Sequence, residues 1–325
     1  MNKGCKFLRE LIFNHIDQEI MPRVVASLLK HLCLLEVVDM TCLHQAIEYY
    51  YKGAAGTVTY HPRPNRIAPL KLLHYTGSDK LGEVLEICPK LRTFKLFVTE
   101  SLPSLGTTLQ NSGNCLDHVT LVFNPAHRSL NGFHKFLQAC GSRISSLQIE
   151  TSGITEIGLE DLNVIAQECK FLDVLGFNAF VLSPDTPLDS YPEPFVPLQL
   201  PFLTELKLSN IRIDRTGKEL FRFLIGGCPD IERISLSFQE TAFFFSDFLL
   251  DDILFLNPLG RLEYFQVKDV SLTLISALRL ISSRPKLRSV GQLLKWDVEL
   301  SELKTFAQIL RRANSLKLLQ DISIN

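Results

Sequence analysis

The chain has 325 residues, 46% of them hydrophobic and 21% charged, and a formal net charge of -1. That balance describes a chain able to bury a core and excludes a disordered one, and it offers no global attraction to nucleic acid or to an anionic membrane. No apolar run reaches the ~18 residues of a membrane span, and Arg9 and Glu10 fall where a signal peptide needs its apolar centre.

An apolar phrase with anchors at its first, fourth and sixth positions recurs along the chain. From the N-terminus it begins with loose copies: Leu8-Arg-Glu-Leu11-Ile-Phe13, Leu35-Glu-Val-Val38-Asp-Met40 and Leu70-Lys-Leu-Leu73-His-Tyr75. Tighter ones follow: Leu91-Arg-Thr-Phe94-Lys-Leu96, Leu116-Asp-His-Val119-Thr-Leu121, Ile144-Ser-Ser-Leu147-Gln-Ile149 and Leu172-Asp-Val-Leu175-Gly-Phe177. Then come Leu203-Thr-Glu-Leu206-Lys-Leu208, Ile231-Glu-Arg-Ile234-Ser-Leu236 and Leu262-Glu-Tyr-Phe265-Gln-Val267. Leu287-Arg-Ser-Val290 opens a copy that Gly291 and Gln292 distort, and Leu316-Lys-Leu-Leu319 opens a last one. First anchors run from 8 to 316 in eleven steps, a mean of about 28 residues, inside the ~20–29 of a leucine-rich repeat with its L-x-x-L-x-L core.

Within each phrase the period is two after the fourth position, as a strand requires; between phrases it becomes helical. Helices are expected over 158–169, 220–225, 272–281 and 303–310, each before the next phrase. Cys88-Pro89, Cys228-Pro229 and Arg284-Pro285 stop helices and turn the chain toward the following strand. The predicted fold is therefore α/β: a leucine-rich-repeat solenoid, or horseshoe, with a parallel concave sheet and outer helices. It is expected as one domain, residues 1–325, of about 11–12 repeats.

Three stretches break the rhythm. Residues 51–68 hold Gly53, Gly56, Pro62 and Pro64, and 179–201 hold six prolines; both are predicted as loop insertions. Phe238 to Asn257 is unusually apolar and is predicted as helix packed on its neighbours, with an exposed partner patch as the second reading. Within it, Asp251-Asp252 is expected to start a helix and complement its dipole. A solenoid needs polar caps, and none is evident in the phrases that open and close the chain, so a cap or further domain upstream is expected.

Cys5, Cys88, Cys169 and Cys228 each sit three residues before a first anchor, and Cys140 four before Ile144. A thiol at one point of successive repeats reads as a small core residue. With no Asn-x-Ser/Thr site, this favours a reducing, intracellular compartment, cytoplasmic or nuclear. Cys33, Cys42 and His44 lack zinc-site spacing, so no metal is expected. Gly-x-Ser-x-Gly, phosphate-loop and dinucleotide-binding patterns are absent, so no catalytic residue and no cofactor is assigned. The insertions carry His61, Arg63, Arg66, Asp185 and Asp189 without a base–nucleophile pairing, which leaves an enzyme built on loops as the reading of another class.

The x residues of the phrase cannot enter the core and must line the sheet face. The stretch 144–178 offers small, weakly charged side chains there, whereas the later repeats are rich in charge and carry Tyr264. The candidate protein-binding residues are Glu205, Lys207, Glu232, Arg233, Tyr264 and Gln266.

With Cys88-Pro-Lys-Leu91-Arg, Cys169-Lys-Phe-Leu172-Asp and Cys228-Pro-Asp-Ile231-Glu in view, nearly the whole chain resembles the cysteine-containing leucine-rich-repeat proteins, the repeat region of F-box/LRR proteins. That resemblance implies a substrate receptor of an SCF-type E3 ubiquitin ligase. The repeats would hold a protein substrate, and an N-terminal F-box would engage a Skp1–cullin complex. The Leu-Pro-x-Glu opening of an F-box does not occur at this N-terminus, so any such contact would run through a region missing from this chain. A free-standing adaptor or inhibitor with no ligase link is the alternative.

Overall fold

The computed structural model describes residues 91–98, 117–123, 132–182, 198–213, 217–291 and 293–312. It also describes strand segments at 10–12, 37–39, 72–76 and 321–323 and a few residues near 23–27, 46 and 106–110. The chain divides into two compact units, Met1–Asn124 with Asn131–Leu147, and Pro125–Leu130 with Gln148–Asn325.

In the first unit, strands β1 (Glu10–Ile12), β2 (Val37–Asp39), β3 (Leu72–Thr76), β4 (Thr93–Val98) and β5 (His118–Phe123) pair in parallel, each with the next in the chain. Leu91, Phe94 and Leu96 are buried, as are Val119 and Leu121, so the anchors of these phrases form the core. Helix α1 (Phe133–Cys140) buries Phe133, Phe136, Leu137 and Cys140 and delivers the chain through a short 3-10 turn to Ile144, itself buried. Strand β6 (Ser146–Ile157) starts the next phrase and lies mostly in the second unit.

The second unit repeats one plan. Strands β7 (Val174–Leu182), β8 (Glu205–Ile213), β9 (Arg233–Ser246), β10 (Tyr264–Ser271), β11 (Ser289–Gly291) and β12 (Asp321–Ser323) pair in parallel in chain order. The helices are α2 (Leu159–Glu168), α3 (Gly217–Gly226), α4 (Asp247–Leu256), α5 (Leu274–Ser283) and α6 (Leu300–Arg312). Leu172, Leu175, Phe177, Leu203, Leu206, Leu208, Ile231, Ile234, Leu236, Leu262, Phe265 and Val267 are all buried. Strands joined by crossovers must pair in parallel, and a helix over the anchor side supplies the second layer of the core. The protein is thus α/β with parallel strands, and α2, α3, α5 and α6 overlap the stretches where the 3.6-residue periodicity expects helix.

Just past the sixth anchor, β7, β8 and β10 each carry a left-handed residue, a device that periodicity does not reveal. Ala179, Asn210 and Asp269, each two residues after that anchor, are left-handed, with φ of 63°, 52° and 60°. The register shifts after Leu208 and after Lys268 as in a β-bulge. The residue that follows, Phe180, Ile211 or Val270, is buried. Asn and Asp tolerate this conformation well; alanine does so at a cost.

Two insertion boundaries and one helix are corrected. Ala179 to Leu182 continues β7, and Phe180 packs edge-on against Phe177 at 6.0 Å. At the other end of the predicted 179–201 loop, Leu198 and Leu200 are buried. The Leu198 N–H donates to the Phe223 carbonyl (3.1 Å) and the Leu200 N–H to that of Gly227 (3.3 Å). This segment lies so close to Gly227 that a Cβ there would fall 1.5 Å from the Leu198 oxygen. Residues 183–197, and the whole 51–68 insertion, lie outside the described residues. Phe238 to Ser246 is strand, and only Asp247–Leu256 is helical. Phe221 from α3 is the reason: Phe238 and Phe245 reach it at 5.8 Å and 5.4 Å and complete a buried aromatic cluster from the strand. Asp251 and Asp252 therefore sit in mid-helix and cap nothing.

Asp247 occupies the helix start instead, and it ties α4 to α5. Its Oδ1 accepts from the Thr273 N–H (2.9 Å) and the Ser276 hydroxyl (2.5 Å), and its Oδ2 from the Thr273 hydroxyl (2.7 Å). Burial alone would raise its pKa, but the hydrogen bonds from Ser276 and Thr273 and the nearby Arg279 outweigh that and hold it below the ordinary carboxylate value. Asn257, immediately after α4, acts in the same way toward α3. Its amide donates to the Ile225 (2.9 Å) and Cys228 (2.8 Å) carbonyls, and its Oδ1 accepts from the Leu259 N–H (3.0 Å).

Candidate functional site

The parallel register decides which x residues become neighbours. Val174 pairs with Glu205, Glu205 with Arg233, Arg233 with Tyr264 and Tyr264 with Ser289. One row of third-position side chains therefore crosses β7 to β11. Gly176, Lys207, Ser235, Gln266 and Gly291 form a parallel row from the fifth positions. The second-position row is stitched by backbone: the Thr204, Glu232, Glu263 and Arg288 N–H groups donate to the Asp173, Thr204, Glu232 and Glu263 carbonyls, each at 2.8 Å.

All six candidate residues fall on this face. Glu205, Arg233 and Tyr264 stand consecutively in one row, Lys207 and Gln266 in the next, and Glu232 at the strand entry. Arg233 is exposed and the other five are half-buried. The guanidinium of Arg233 stacks over the Tyr264 ring, 4.8 Å from its centroid. Lys207 Nζ is 3.1 Å from Glu205 Oε2 on the same strand. Gln266 Nε2 donates to Ser289 Oγ at 2.6 Å and lies across Gly291, where a Cβ would come within 1.8 Å of Gln266 Oε1. The glycine that distorts the late phrase thus makes room for the glutamine of the preceding one. Glu232 alone of the six has no side-chain partner among the described residues.

Two further contacts cross the second-position row. Arg288 Nε lies 3.4 Å from Glu263 Oε2, and the Thr204 hydroxyl donates to the Asp173 carboxylate. The surface is thus a lattice of internally paired charges around one π-stacked arginine, with the Glu232 carboxylate open. Exposed pairs of this kind contribute only ~0–1 kcal/mol each to folding, so the lattice adds little stability.

Sequence reasoning missed an aromatic pair beside this lattice. Phe171 and Phe202, each immediately before a first anchor, are 63% and 54% exposed, and their rings stack at 6.0 Å with 28° between planes. The signal was present as Phe before Leu in two successive repeats, but only the register makes the two residues adjacent. At the other end of β10, Trp296 is buried, donates its indole N–H to the Val267 carbonyl (2.6 Å) and meets Phe265 edge-on at 6.2 Å. It closes a cleft of about 310 Å³ whose lining includes Asp269, Lys295 and Asp297.

The cysteines behave as the spacing suggests where they are described. Cys140, Cys169 and Cys228 are buried free thiols. Cys140 and Cys228 donate to the Phe136 and Leu224 carbonyls one helical turn back, at 3.2 Å and 3.0 Å. Burial pushes both thiols up to about 12, which keeps them protonated and unreactive. Cys33, Cys42 and His44 lie outside the described residues, and among the described residues no three His, Cys, Asp or Glu side chains stand close enough to hold a metal ion. Among the same residues no helix is long and apolar enough to cross a membrane.

No protein-family model matches the chain, and no curated protein matches it significantly. The class is therefore defined by the architecture alone: an α/β protein of parallel strands in chain order, with a polar face of in-register side chains.

Proposed function

We propose that this chain is a leucine-rich-repeat solenoid and works as a non-enzymatic scaffold that binds another protein through its sheet face. The observation that carries the reading is the split within the phrases that begin at Leu172, Leu203, Ile231 and Leu262: first, fourth and sixth positions buried, the residues between them aligned row by row on one face. In one respect the repeats differ from the family pattern. The usual Asn or Cys of the ninth position is replaced by buried Phe180, Ile211 and Val270, brought inward by the left-handed residue before each. The binding residues are Glu205, Lys207, Glu232, Arg233, Tyr264 and Gln266, with Arg233 on Tyr264 as the central anchor.

The resemblance to F-box/LRR proteins extends this to a ubiquitin-ligase substrate receptor. Quantitative affinity capture from native cells with wild type and with Tyr264→Ala/Arg233→Glu separates the readings. A partner lost from the variant supports the sheet face. Recovery of Skp1 and cullin with the full-length protein supports the ligase role, and a partner without them favours a free-standing adaptor. A partner set unchanged in the variant would refute the face.

A further inference from the structure

Helix α4 carries two apolar faces where a packed helix needs one. Leu249, Leu250 and Ile253 are buried against α3, β9 and α5. On the other side Phe248 is 82% exposed and Phe255 is 89% exposed. They stand seven residues apart, so about 10.5 Å separates them along the axis on one side of the helix. Asp251 and Asp252, at i+3 and i+4 from Phe248, lie between them. Leu256, next to Phe255, is exposed as well. The mid-helix acidic pair thus has no capping role, and two phenylalanines of this exposure in a folded core unit point to an interaction surface.

The charge says what kind. Helix α4 is Asp247-Phe-Leu-Leu-Asp251-Asp252-Ile-Leu-Phe255-Leu, without a single basic residue. Asp247 is used internally by Thr273 and Ser276, and Asp251 is paired with Arg279. Asp252 is half-buried between the two rings and has no ion pair among the described residues. We propose that the outward face of α4 docks an amphipathic basic segment of another protein: two apolar side chains would seat on Phe248 and Phe255, and a lysine or arginine between them would meet Asp252. A second copy of this chain fits poorly, because an antiparallel two-fold pairing of α4 would bring the two Asp252 carboxylates together at its axis with no cation of α4 to meet them. An anionic membrane fits poorly for the same reason of sign. This surface is on the helix side of the repeats and is independent of the sheet face.

The test is calorimetric titration of the full chain with a synthetic amphipathic peptide of about 18 residues with leucine and lysine at helical spacing. A leucine–glutamate peptide of the same pattern serves as control. Saturable binding of the basic peptide is expected, with affinity about tenfold or more weaker for Phe248→Ser/Phe255→Ser and for Asp252→Lys, and unchanged for Tyr264→Ala. All three variants should melt with wild type, since the altered side chains face solvent or are only half-buried. The proposal is overturned by no saturable binding to wild type, by equal affinity of the double variant, or by equal affinity of the glutamate peptide. It is also overturned if sedimentation shows a dimer that Phe248→Ser dissolves, or if vesicles containing phosphatidylserine bind and phosphatidylcholine vesicles do not.

Discussion

Two successive repeats use the same strand phrase and return to the next strand in different ways. From Leu203 the chain runs through β8 and then through α3, whose Phe221, Leu224 and Ile225 are buried. From Leu172 it runs through β7 and comes back, at 198–200, as an extended segment hydrogen-bonded to the end of α3. The phrases are nearly superimposable in pattern and register, yet one return is a helix packing its own side chains, and the described end of the other, 198–200, is backbone laid against a neighbour's glycine. Three buried anchors per strand therefore define the repeat, and the return needs only to cover them. What covers them is decided between repeats.

Breaking the phrase should cost most. Leu206→Asp places an uncompensated charge at a fully buried anchor and should destabilise by about 4 kcal/mol or more, seen as loss of the cooperative urea transition or a sharply lower midpoint. Next come the two returns. Gly227→Ala drives a Cβ into the Leu198 backbone and should destabilise by about 3 kcal/mol, with hydrogen exchange rising at Leu198 and Leu200 ahead of β8. Asn257→Ala removes the amide that holds the end of α3 at the Ile225 and Cys228 carbonyls, which keep their backbone donors, and strands the Leu259 N–H after α4, at a cost of about 2 kcal/mol by the same melts. If Gly227→Ala were silent, the extended return would be only loosely attached and the contrast between the two repeats would disappear.

Smaller effects sharpen the picture. Ala179→Gly relieves a left-handed alanine in β7 and should stabilise by about 0.5–1 kcal/mol, whereas the same exchange at an ordinary extended position would destabilise. Glu205→Ala should leave stability within about 0.5 kcal/mol, because its side chain is half-buried and its partner Lys207 is partly solvated. Equal destabilisation by Glu205→Ala and Leu206→Asp would reverse the assignment of core and face.

The candidate site was legible because it follows from the phrase. Once Leu206, Ile234 and Phe265 are in the core, Glu205, Arg233 and Tyr264 must stand outside it, and equal numbering within the phrase lines them up. The contacts among them were not legible. The stacking of Arg233 on Tyr264 and the Gln266–Ser289 bond over Gly291 depend on rotamers chosen between neighbouring strands that are far apart in sequence. The helix start before Asp251 was missed because the aromatic run 243–245 satisfies helix and strand periodicity alike. Phe221, in another repeat, resolves it.

The sequence by itself determined the α/β repeat, the parallel strands, the anchors of the core and the cysteines buried among them. These are local: a period of two or of 3.6 states which side of an element is apolar, and a spacing too long for a hairpin requires a parallel crossover. Only the tertiary structure decided where β9 stops, how the proline-rich repeat returns, which strand residues turn left-handed and which phenylalanines stay in water. Those choices are made by partners from neighbouring repeats, and no window of sequence contains both halves of such a contact.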